Sequence, residues 1–448
     1  MRQDAVHVGV IGCGVVGTGV VRCLRDHGRY LARHLGFPIE LVRVADSAAR
    51  LRPGLRLPRG LLVRDAAAVL EDPHIEIVVE LIGGTGKAKD YILRAMRGGK
   101  HVVTANKALL AASGPELHRT AQRHNVDLFY EASVAGGIPI VKAIREGFVA
   151  NRIDSLLGIV NGTCNYILTR MTSDRLEFAE ALAEARLNGY AEADPALDIE
   201  GIDARHKIGI LSSLAFGQWV PQKHIHVEGI TRVTARDIMC AAELGYVIKL
   251  LAIARSGPAG ISVRVHPALL RAHTMLATVG GAYNAIEVNG FPVGRTLFYG
   301  RGAGMDATSS AVVADIVDVA RNVGYASHKR LPAFTFVERQ APLLPMAEVE
   351  TKYYLCCTTV DRPGVIARIA RELGDRAISI ASVIQHEPAS GQSWPTVTFM
   401  TYIARERNIR DAVRAIDRSG VVKDSTRIIR VEDETEDRAT SPAATHTS

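Results

Sequence analysis

The 448-residue chain has few cysteines for its length, and they show no regular spacing. The six cysteines include no Cys-x-x-Cys pair, which argues against a zinc ribbon and against a dithiol redox motif. Cys356 and Cys357 are adjacent, and neighbours on a strand point to opposite faces, so we do not expect a disulfide between them. A reducing, cytoplasmic environment is the simplest interpretation.

Long hydrophobic runs are also missing. The most apolar stretches, residues 75–83 and 247–254, fall short of the roughly 20 apolar residues that span a bilayer or carry charges. Residues 1–4 lack the basic cluster that begins a signal peptide. The sequence therefore predicts neither a membrane span nor a secretory leader.

Charge of one sign is not concentrated in this chain. Charged residues make up 23% of it, and 54 Lys plus Arg against 47 Asp plus Glu leave a net charge of +7. Aromatic residues make up only 5% of the chain. The sequence shows neither a basic face rich in aromatic residues nor a DNA-recognition helix, so we expect no nucleic-acid partner. The 47% hydrophobic fraction can supply buried cores, and the length suggests two or three domains.

Residues 1–150 alternate β-branched runs with helical stretches. Near-continuous apolar strands separated by helices indicate a parallel sheet covered on both faces. Right-handed crossovers then give a Rossmann-type, doubly wound α/β fold. The expected strands are 7–11, 39–45, 75–81, 101–104 and 126–130, and the expected helices are 15–25, 88–97 and 109–124.

Residues 151–342 carry longer helices followed by alternating strands, which predicts a mixed α/β domain for catalysis and dimerisation. Helices are expected at 175–187 and 203–216, and strands at 261–265 and 285–288. A segment near 305–342 is expected to return to the first domain. Pro342 and Pro345 then mark a linker.

Residues 349–432 follow the order strand, helix, strand, strand, helix, strand. This βαββαβ order is the ferredoxin-like pattern. The expected strands are 353–360, 379–386, 396–403 and 427–431, and the expected helices are 364–374 and 409–418. Residues 433–448 are mainly Thr, Ser, Ala and acid, which predicts a disordered tail.

A glycine-rich turn follows the first strand. Gly12, Gly14 and Gly17 form a Gly-x-Gly-x-x-Gly motif, and Val15 and Val16 open the next helix. The glycines permit a tight turn, close approach of a pyrophosphate and close helix–strand packing, while helix N-terminal amides face the phosphate charge. Such a motif often only punctuates a turn, but the strand–turn–helix setting favours dinucleotide binding.

Asp46 ends the second strand. An acid there can accept hydrogen bonds from the adenosine ribose and would repel a 2′-phosphate, which favours NAD slightly over NADP. Asp46 can equally be a turn or N-cap aspartate, and Arg43 or Arg50 could still hold a phosphate.

Thr104 and Lys107 lie at the carboxyl edge of the sheet, where such folds bind ligands. The lysine could touch nicotinamide or substrate there, or it could be an ordinary surface lysine.

Residues 189–207 concentrate acids beside a lysine. Asp203 and Lys207 are four apart and share one helix face, which by itself could be a surface ion pair. Glu192, Asp194, Asp198 and Glu200 crowd the same segment, and this suits an ammonium-bearing substrate next to a proton-transfer group. The residues alone leave both interpretations open.

The chain closely resembles homoserine dehydrogenases of the long bacterial type, which end in an ACT domain. The resemblance covers nearly all of residues 7–433 and includes several motifs in order. They are the glycine turn, Val-Val-Thr-Ala-Asn-Lys-Ala-Leu at 102–109, Tyr-Glu-Ala-Ser-Val-Ala-Gly-Gly-Ile-Pro at 130–139, Asn-Gly-Thr-Cys-Asn-Tyr at 161–166 and the stretch 194–207.

The resemblance implies reversible, NAD(P)-dependent oxidation of L-homoserine to L-aspartate 4-semialdehyde, on the route to threonine, methionine and isoleucine. Lys207 then resembles the proton-transferring lysine, Lys107 a lysine near nicotinamide and substrate, and Asp203 a substrate-binding acid of the catalytic centre. The other implied substrate contacts are Glu192, Tyr190, Asp198, Gly162 and Thr163. In similar enzymes a monovalent cation, here a possible structural Na⁺, sits on backbone carbonyls matched by Glu131, Val134, Gly136 and Ile138.

The implied reaction needs an acceptor for the hydroxyl proton when hydride leaves the carbinol carbon. A neutral lysine can take that proton, but an ordinary lysine is charged at neutral pH. Burial and the nearby charge of Lys107 favour the neutral form of Lys207, whereas Asp203 favours the charged form. Sequence leaves the balance open.

Two departures from the family pattern concern the cofactor. Met305 and Asp306 replace the usual glycine- and proline-containing continuation after Gly302-Ala303-Gly304, a stretch that lies near nicotinamide in similar enzymes. Gly302 is thus an expected cofactor contact in an altered loop. Ala45 stands where NADP-using relatives often carry arginine, which again favours NAD.

The resemblance also implies that the ACT domain pairs across subunits of a homo-oligomer, a dimer or tetramer, and binds an amino acid such as L-threonine as a feedback inhibitor. The alternative is a dimerisation module that binds nothing. Two other functions remain open for the whole chain: an inactive nucleotide and amino-acid sensor, and a dehydrogenase of another small amino or hydroxy acid. Lys107, Glu192, Asp203 and Lys207 argue against the sensor, which has no need of them.

Overall fold

A computed structural model describes residues 4–48, 55–327, 334–335, 337–386 and 394–432. The expected tail at 433–448, and Arg50, lie outside these residues. Among the described residues, the structure contains no helix that is both long and apolar enough to traverse a bilayer.

The N-terminal region forms a six-stranded parallel sheet, which confirms the predicted Rossmann-type fold. The central strands are buried along nearly their whole length, as expected for a sheet covered on both faces. The strands are β1 (Val6–Ile11), β2 (Ile39–Ala45), β3 (Leu62–Val63), β4 (Ile77–Glu80), β5 (His101–Thr104) and β6 (Leu128–Phe129), in the order β3-β2-β1-β4-β5-β6. Strands β4 and β6 are shorter than predicted.

Helices connect these strands on both faces. They are α1 (Val15–Asp26), α2 (Gly28–Leu35), α3 (Ala67–Leu70), α4 (Lys87–Arg97), α5 (Lys107–Arg123) and α6 (Ile140–Lys142). The strand order reverses between β1 and β4, so the carboxyl ends of these two strands border the crevice in which doubly wound sheets bind ligands.

The second region contains a mostly antiparallel sheet covered by helices. Its strands are β7 (Arg152–Ile159), β8 (His226–Val227), β9 (Tyr246–Gly257), β10 (Gly260–Arg271), β11 (Tyr283–Phe291) and β12 (Gly294–Arg301). Its helices are α7 (Gly162–Asp174), α8 (Phe178–Leu187), α9 (Ala196–Ile199), α10 (Ile202–Phe216) and α11 (Ala235–Glu243), and α12 (Met305–Gly324) follows β12.

The predicted helix at 175–187 starts too early. Arg175 adopts a left-handed conformation, with φ of 59°, and ends α7. Helix α8 begins three residues later behind a capping box formed by Glu177 and Glu180. Helix α7 was not predicted, because its Thr, Asn and Ser residues obscure the apolar periodicity.

Helix α12 returns to the first region and packs on α1. Gly19 of α1 makes the close approach possible, since a Cβ there would lie 2.8 Å from Oγ of Ser309. Val312, Ile316 and Val319 of α12 join the hydrophobic core beneath β1. The chain therefore re-enters the first region after the second sheet.

The C-terminal region confirms the βαββαβ order. Its elements are β13 (Glu350–Thr358), α13 (Val365–Gly374), β14 (Ile380–His386), β15 (Thr396–Thr401), the short β16 (Ala404–Arg405), α14 (Glu406–Arg418) and β17 (Arg427–Val431). Strand β17 also pairs in parallel with β10 of the second region, so both regions share one eleven-stranded sheet. Nine of its strands follow the order β12-β11-β7-β9-β10-β17-β13-β15-β14, while β8 pairs with β10 and β16 with β13 beside this path.

Candidate active site

The glycine turn joins β1 to α1 at the carboxyl edge of the parallel sheet. Gly12 has a φ of 103°, and a Cβ there would lie 2.7 Å from the carbonyl carbon of Leu81. A Cβ at Gly17 would lie 2.1 Å from the carbonyl oxygen of Gly12. Only glycine fits either position without displacing backbone. Helix α1 starts at Val15, so its first amides have no intrahelical partner and suit a phosphate.

Asp46 lies directly beside this turn. Its carboxylate accepts hydrogen bonds from the amide of Cys13 at 2.7 Å and from the amide of Ala48 at 3.0 Å. The second bond is the turn contact that the sequence left as an alternative. Carboxylate oxygens can accept further bonds, so a ribose partner remains compatible with this geometry.

Thr104 is fully buried and does not line the large cavity described below. Its hydroxyl donates to Oε2 of Glu80 at 2.7 Å and accepts from the amide of Asn106 at 3.0 Å. Glu80, also fully buried, accepts from the amides of Ile82 and Gly83 through its other oxygen. These bonds fix the loops after β4 and β5, at the edge where a ligand would lie.

Lys207 and Lys107 converge on one carboxylate. Nζ of Lys207 lies 2.7 Å from Oδ2 of Asp203, and Nζ of Lys107 lies 3.1 Å from Oδ1. Lys207 also donates to the carbonyl of Val160 at 2.6 Å. Burial alone would raise the pKa of Asp203, but Lys207 and Lys107 outweigh it and hold that pKa well below its usual range.

Asn161 connects this group to a second acid. Its side-chain amide donates to Asp203 at 2.9 Å and to Asp198 at 2.7 Å, while its oxygen accepts from the amide of Cys164 and caps α7. The hydroxyl of Thr163 lies 2.7 Å from the carbonyl of Tyr190 and 3.3 Å from Oδ2 of Asp198. Polar groups from α7, α9 and α10 therefore converge.

Glu192 and Tyr190 stand at the exposed side of this group. Tyr190 packs against Tyr166, with ring centroids 4.5 Å apart and ring planes tilted by 32°. Glu192 is exposed and has no ion-pair partner among the described residues, although it lines the large cavity. A carboxylate that has no partner can accept hydrogen bonds from the ammonium group of a ligand, and the neighbouring donors and acceptors already pair with one another.

A large cavity of about 880 Å³ collects most of the candidate residues. It spans the parallel-sheet edge, the convergent acids and lysines, and the segment before α12. Candidate residues lining it are Val16, Lys107, Gly136, Gly162, Thr163, Tyr190, Glu192, Asp198, Asp203, Lys207 and Gly302. Candidate residues outside its lining are Gly12, Gly14, Val15, Gly17, Asp46, Thr104, Glu131, Val134 and Ile138.

Gly302 packs tightly between two elements. A Cβ there would lie 2.0 Å from Nδ2 of Asn284, and a Cβ at Gly136 would lie 2.6 Å from the carbonyl oxygen of Gly302. Asn284 is only 1% exposed, and its amide was not expected from the sequence to support this wall. The contacts place the segment before α12 directly against the loop that contains Gly136.

The side chain of Asp306 points away from the cavity. Its carboxylate lies 2.6 Å from Nη2 of Arg22 on α1, and both side chains are largely exposed. Asp306 also lies in the first turn of α12, where a negative charge is favourable. This departure from the family pattern therefore joins α12 to α1 and adds no charge to the cavity lining.

The loop at 131–138 presents backbone carbonyls in a compact turn. The carbonyls of Glu131 and Ile138 already accept from the amides of Val134 and Ile140. Among the described residues, the carbonyls of Val134 and Gly136 have no hydrogen-bond partner. Carbonyl oxygens such as these are suitable ligands for a hard monovalent cation.

The side chain of Glu131 has a structural role beside that loop. It accepts from the amides of Val141 and Lys142 at the start of α6. Burial raises its pKa to about 7, against the opposing effect of those two amides.

Three residues support the site although the sequence predicted no functional role for them. Asn161 and Glu80 are described above, and the third is Lys249, which is 4% exposed. Lys249 donates to Oδ1 of Asn165 and to the carbonyl of Val279, and Asn165 in turn donates to Tyr283 in the cavity wall. The sequence signals for them were the position of Glu80 at the end of an apolar strand and that of Asn161 in the motif at 161–166, whereas Lys249 had none.

Comparison with known proteins agrees with this geometry. A family model described as "Homoserine dehydrogenase, NAD binding domain" matches residues 12–131, one described as "Homoserine dehydrogenase" matches 139–317, and one described as "ACT domain" matches 356–420. A homoserine dehydrogenase of Neisseria gonorrhoeae is 43% identical over 430 residues, covering 95% of this chain and 98% of its own.

Solved structures show the same likeness. A homoserine dehydrogenase from Thiobacillus denitrificans has a TM-score of 0.90 and 44% identity, with 97% of this chain and 100% of that chain covered. A hyperthermophilic archaeal homoserine dehydrogenase in complex with NADPH has a TM-score of 0.59 and 25% identity, covering 70% of this chain and 97% of its own.

Proposed function

The chain belongs to the homoserine dehydrogenase family and is an NAD(P)-dependent oxidoreductase acting on a CH–OH group, and from this premise we propose roles for its residues. The substrate pair is L-homoserine and L-aspartate 4-semialdehyde. The observation that carries the proposal is the convergence of Lys207 and Lys107 on Asp203 in a cavity that reaches the first turn of α1 at Val16.

Lys207 transfers the proton. Two of its donor positions are used by Val160 and Asp203, which leaves the third direction for a ligand in the cavity it lines. In the oxidative direction a neutral Lys207 takes the hydroxyl proton of homoserine, and in the reverse direction the protonated amine donates it to the carbonyl.

Lys107 and Asp203 orient the reacting groups. Lys107 is 42% exposed on its side chain and bridges the parallel-sheet edge to α10, so it can contact both substrate and nicotinamide. Asp203 keeps both amines in place. Glu192, Tyr190 and Asp198, together with Gly162 and Thr163, bind the amino-acid end of homoserine, with Glu192 supplying the free carboxylate.

The dinucleotide occupies the glycine turn. The pyrophosphate is held by the turn residues Gly12, Gly14, Val15, Val16 and Gly17. Asp46 binds the adenosine ribose, and the nicotinamide end of the cofactor lies against Gly302 and the segment from Thr104 to Lys107. NAD(P), when bound, supplies the hydride acceptor or donor. The carboxylate of Asp46 favours NAD over NADP.

Three further assignments complete the proposal. A monovalent cation, a structural Na⁺, binds the carbonyls of Glu131, Val134, Gly136 and Ile138. The enzyme is cytoplasmic, in keeping with six free cysteines.

The enzyme is a homo-oligomer. This assignment is supported by Tyr283 on β11 and Tyr299 on the outermost strand β12, which are exposed and stacked and so offer an apolar surface to a second copy. Light scattering of the purified enzyme tests the last assignment.

The ACT domain is proposed to bind L-threonine as a feedback inhibitor of the dehydrogenase. Equilibrium dialysis together with initial rates tests this role. Absence of binding and unaltered rates would leave the domain as a dimerisation module.

The central experiment compares homoserine-dependent reduction of NAD and NADP by wild type, Lys207→Ala and Lys223→Ala. We expect Lys207→Ala to lose about 10²- to 10⁴-fold in kcat while its affinity for the dinucleotide is unchanged. Lys223 is an exposed lysine outside the cavity lining and serves as the matched control. Activity of Lys207→Ala close to wild type would refute the proton-transfer role.

A further inference from the structure

A second cavity lies between the C-terminal region and the catalytic region of the same chain. We call it the interdomain cavity; its volume is about 390 Å³. Its lining includes Glu200 and residues 227–229 and 231–233 on the catalytic side, and Arg410 and residues 425–429 on the C-terminal side. Small-molecule sites commonly have this size.

The two walls of the interdomain cavity are joined by backbone pairing. Ala268 and Leu269 of β10 pair with Arg430 and Val431 of β17, and the amide of Glu432 donates to the carbonyl of Leu269 at 2.9 Å. A displacement of β17 must therefore be accommodated by the catalytic sheet.

Buried charges also connect the walls. Arg430 is fully buried and donates to Glu228 at 2.7 and 3.0 Å and to Glu406 at 2.5 and 2.9 Å. Arg410 contacts the same two carboxylates. Of these four residues only Glu228 belongs to the catalytic region, so it ties residues 227–233 to α14 and β17.

Residues 227–233 also touch the segment that precedes α10. The amide of Ile230 donates to the carbonyl of Ile199 at 2.8 Å. A Cβ at Gly229 would lie 2.1 Å from that carbonyl oxygen and 2.6 Å from Cα of Glu200, so the approach is tight. Asp198 lies one residue before this contact, and Asp203 lies four residues after it, on α10.

The lining of the interdomain cavity offers both signs of charge. Arg427 is paired with Asp237, and Arg410 with two glutamates. Arg232 and Glu200 are exposed in the lining, and neither has an ion-pair partner among the described residues. A free guanidinium and a free carboxylate in one cavity complement the carboxylate and ammonium of a small zwitterion.

We propose that the interdomain cavity binds a small amino acid through Arg232 and Glu200, and that binding shifts the segment carrying Asp198 and Asp203 through Glu228 and Gly229. The proposal rests on the dehydrogenase activity and the regulatory role proposed above, and it places the effector within one chain. A ligand held by Glu200 acts directly on the segment that Ile230 contacts. The expected effect is a changed KM for homoserine with little change in the KM for the dinucleotide.

The first test measures binding to the full-length enzyme by calorimetry. The probes are L-threonine, L-threoninamide, which lacks the carboxylate, and 3-hydroxybutyrate, which lacks the ammonium. We expect L-threonine to bind, and both analogues to bind about 10- to 100-fold more weakly because each loses a charge-assisted contact. Because binding is measured without turnover, this result is independent of whether homoserine is oxidised.

Variants locate the site. Arg232→Ser and Thr231→Trp, which fills the cavity, should each weaken L-threonine binding at least about 10-fold. Arg418→Ser, an exposed arginine at the end of α14 outside the lining, should bind as wild type does. Failure of L-threonine to bind, or unchanged binding in both cavity variants, would overturn the proposal.

A coupling variant tests the route to the active site. Arg410→Gln removes one of the two arginines on Glu228 but leaves the buried Arg430 in place. It should still bind L-threonine, yet show a smaller change in the KM for homoserine than wild type. An undiminished change would refute the route through Glu228, whereas wild type that binds L-threonine but does not oxidise homoserine would refute the proposed function alone.

Discussion

The amine of Lys207 lies 2.7 Å from a carboxylate oxygen of Asp203, one turn earlier on α10. Both residues are only 8% exposed. Either charge would be costly in this environment without the other, since removing one partner of a buried pair leaves an uncompensated charge. The pair therefore fixes an amine at the wall of the cavity, where substrate can reach it.

Asp203→Asn should impair catalysis more than cofactor binding. The amide keeps the shape but removes the negative charge on which Lys207 and Lys107 converge. We expect kcat/KM for homoserine to fall about 10- to 100-fold, the equivalent of one charge-assisted contact, with dinucleotide affinity unchanged. Steady-state kinetics and a dinucleotide titration measure the two effects, and a loss confined to dinucleotide affinity would contradict the assignment.

Glu192→Gln should act on substrate binding. Glu192 is an exposed acid of the cavity without a partner among the described residues, so its charge is available to the ammonium of homoserine. We expect the KM for homoserine to rise about 10- to 100-fold while the KM for the dinucleotide stays constant. Asp194→Asn is the matched control, because Asp194 is exposed, lies two residues away and is outside the cavity lining. Equal effects of both substitutions would argue against a specific contact.

Local patterns predicted those parts of the fold and site that depend on nearby residues. The strand–turn–helix of Gly12–Gly17 and the four-residue spacing of Asp203 and Lys207 are such signals, and the structure places both as expected. The start of α8 was missed because it depends on the left-handed backbone of Arg175, a residue with no strong preference for that conformation.

Contacts between distant segments left little trace in the sequence. An asparagine before a helix is typical of an N-cap, so Asn161 gave no sign that its amide would join Asp198 and Asp203. The pairing of β10 with β17 involves two residues on each strand and main-chain atoms, which no side-chain pattern specifies.

Asp46→Asn should relax the preference between dinucleotides. The substitution keeps an oxygen that can accept from the amide of Cys13, but it removes the charge that would repel a 2′-phosphate. We expect kcat/KM with NADP, relative to NAD, to rise about 10-fold, which corresponds to about 1.4 kcal/mol. Side-by-side rates with both cofactors give this ratio. An unchanged ratio would indicate that Asp46 serves the turn alone.

Lys249→Met should change how stability depends on pH. Burial lowers the pKa of Lys249 to about 8, below its value of about 10.4 in the unfolded chain. Between these values the unfolded state binds more protons, so the free energy of unfolding should rise with pH in that window, by at most about 3 kcal/mol from this group. Below pH ~8 the cost of burying the charge is fully present.

Urea unfolding monitored between pH ~8 and pH ~10.4 should therefore show a steeper rise in the free energy of unfolding for wild type than for Lys249→Met. Lys223→Met, at an exposed lysine, should follow the wild-type slope, because its charge is not buried in the folded state. Parallel curves for wild type and Lys249→Met would mean that Lys249 titrates alike in both states, and that burial does not lower its pKa.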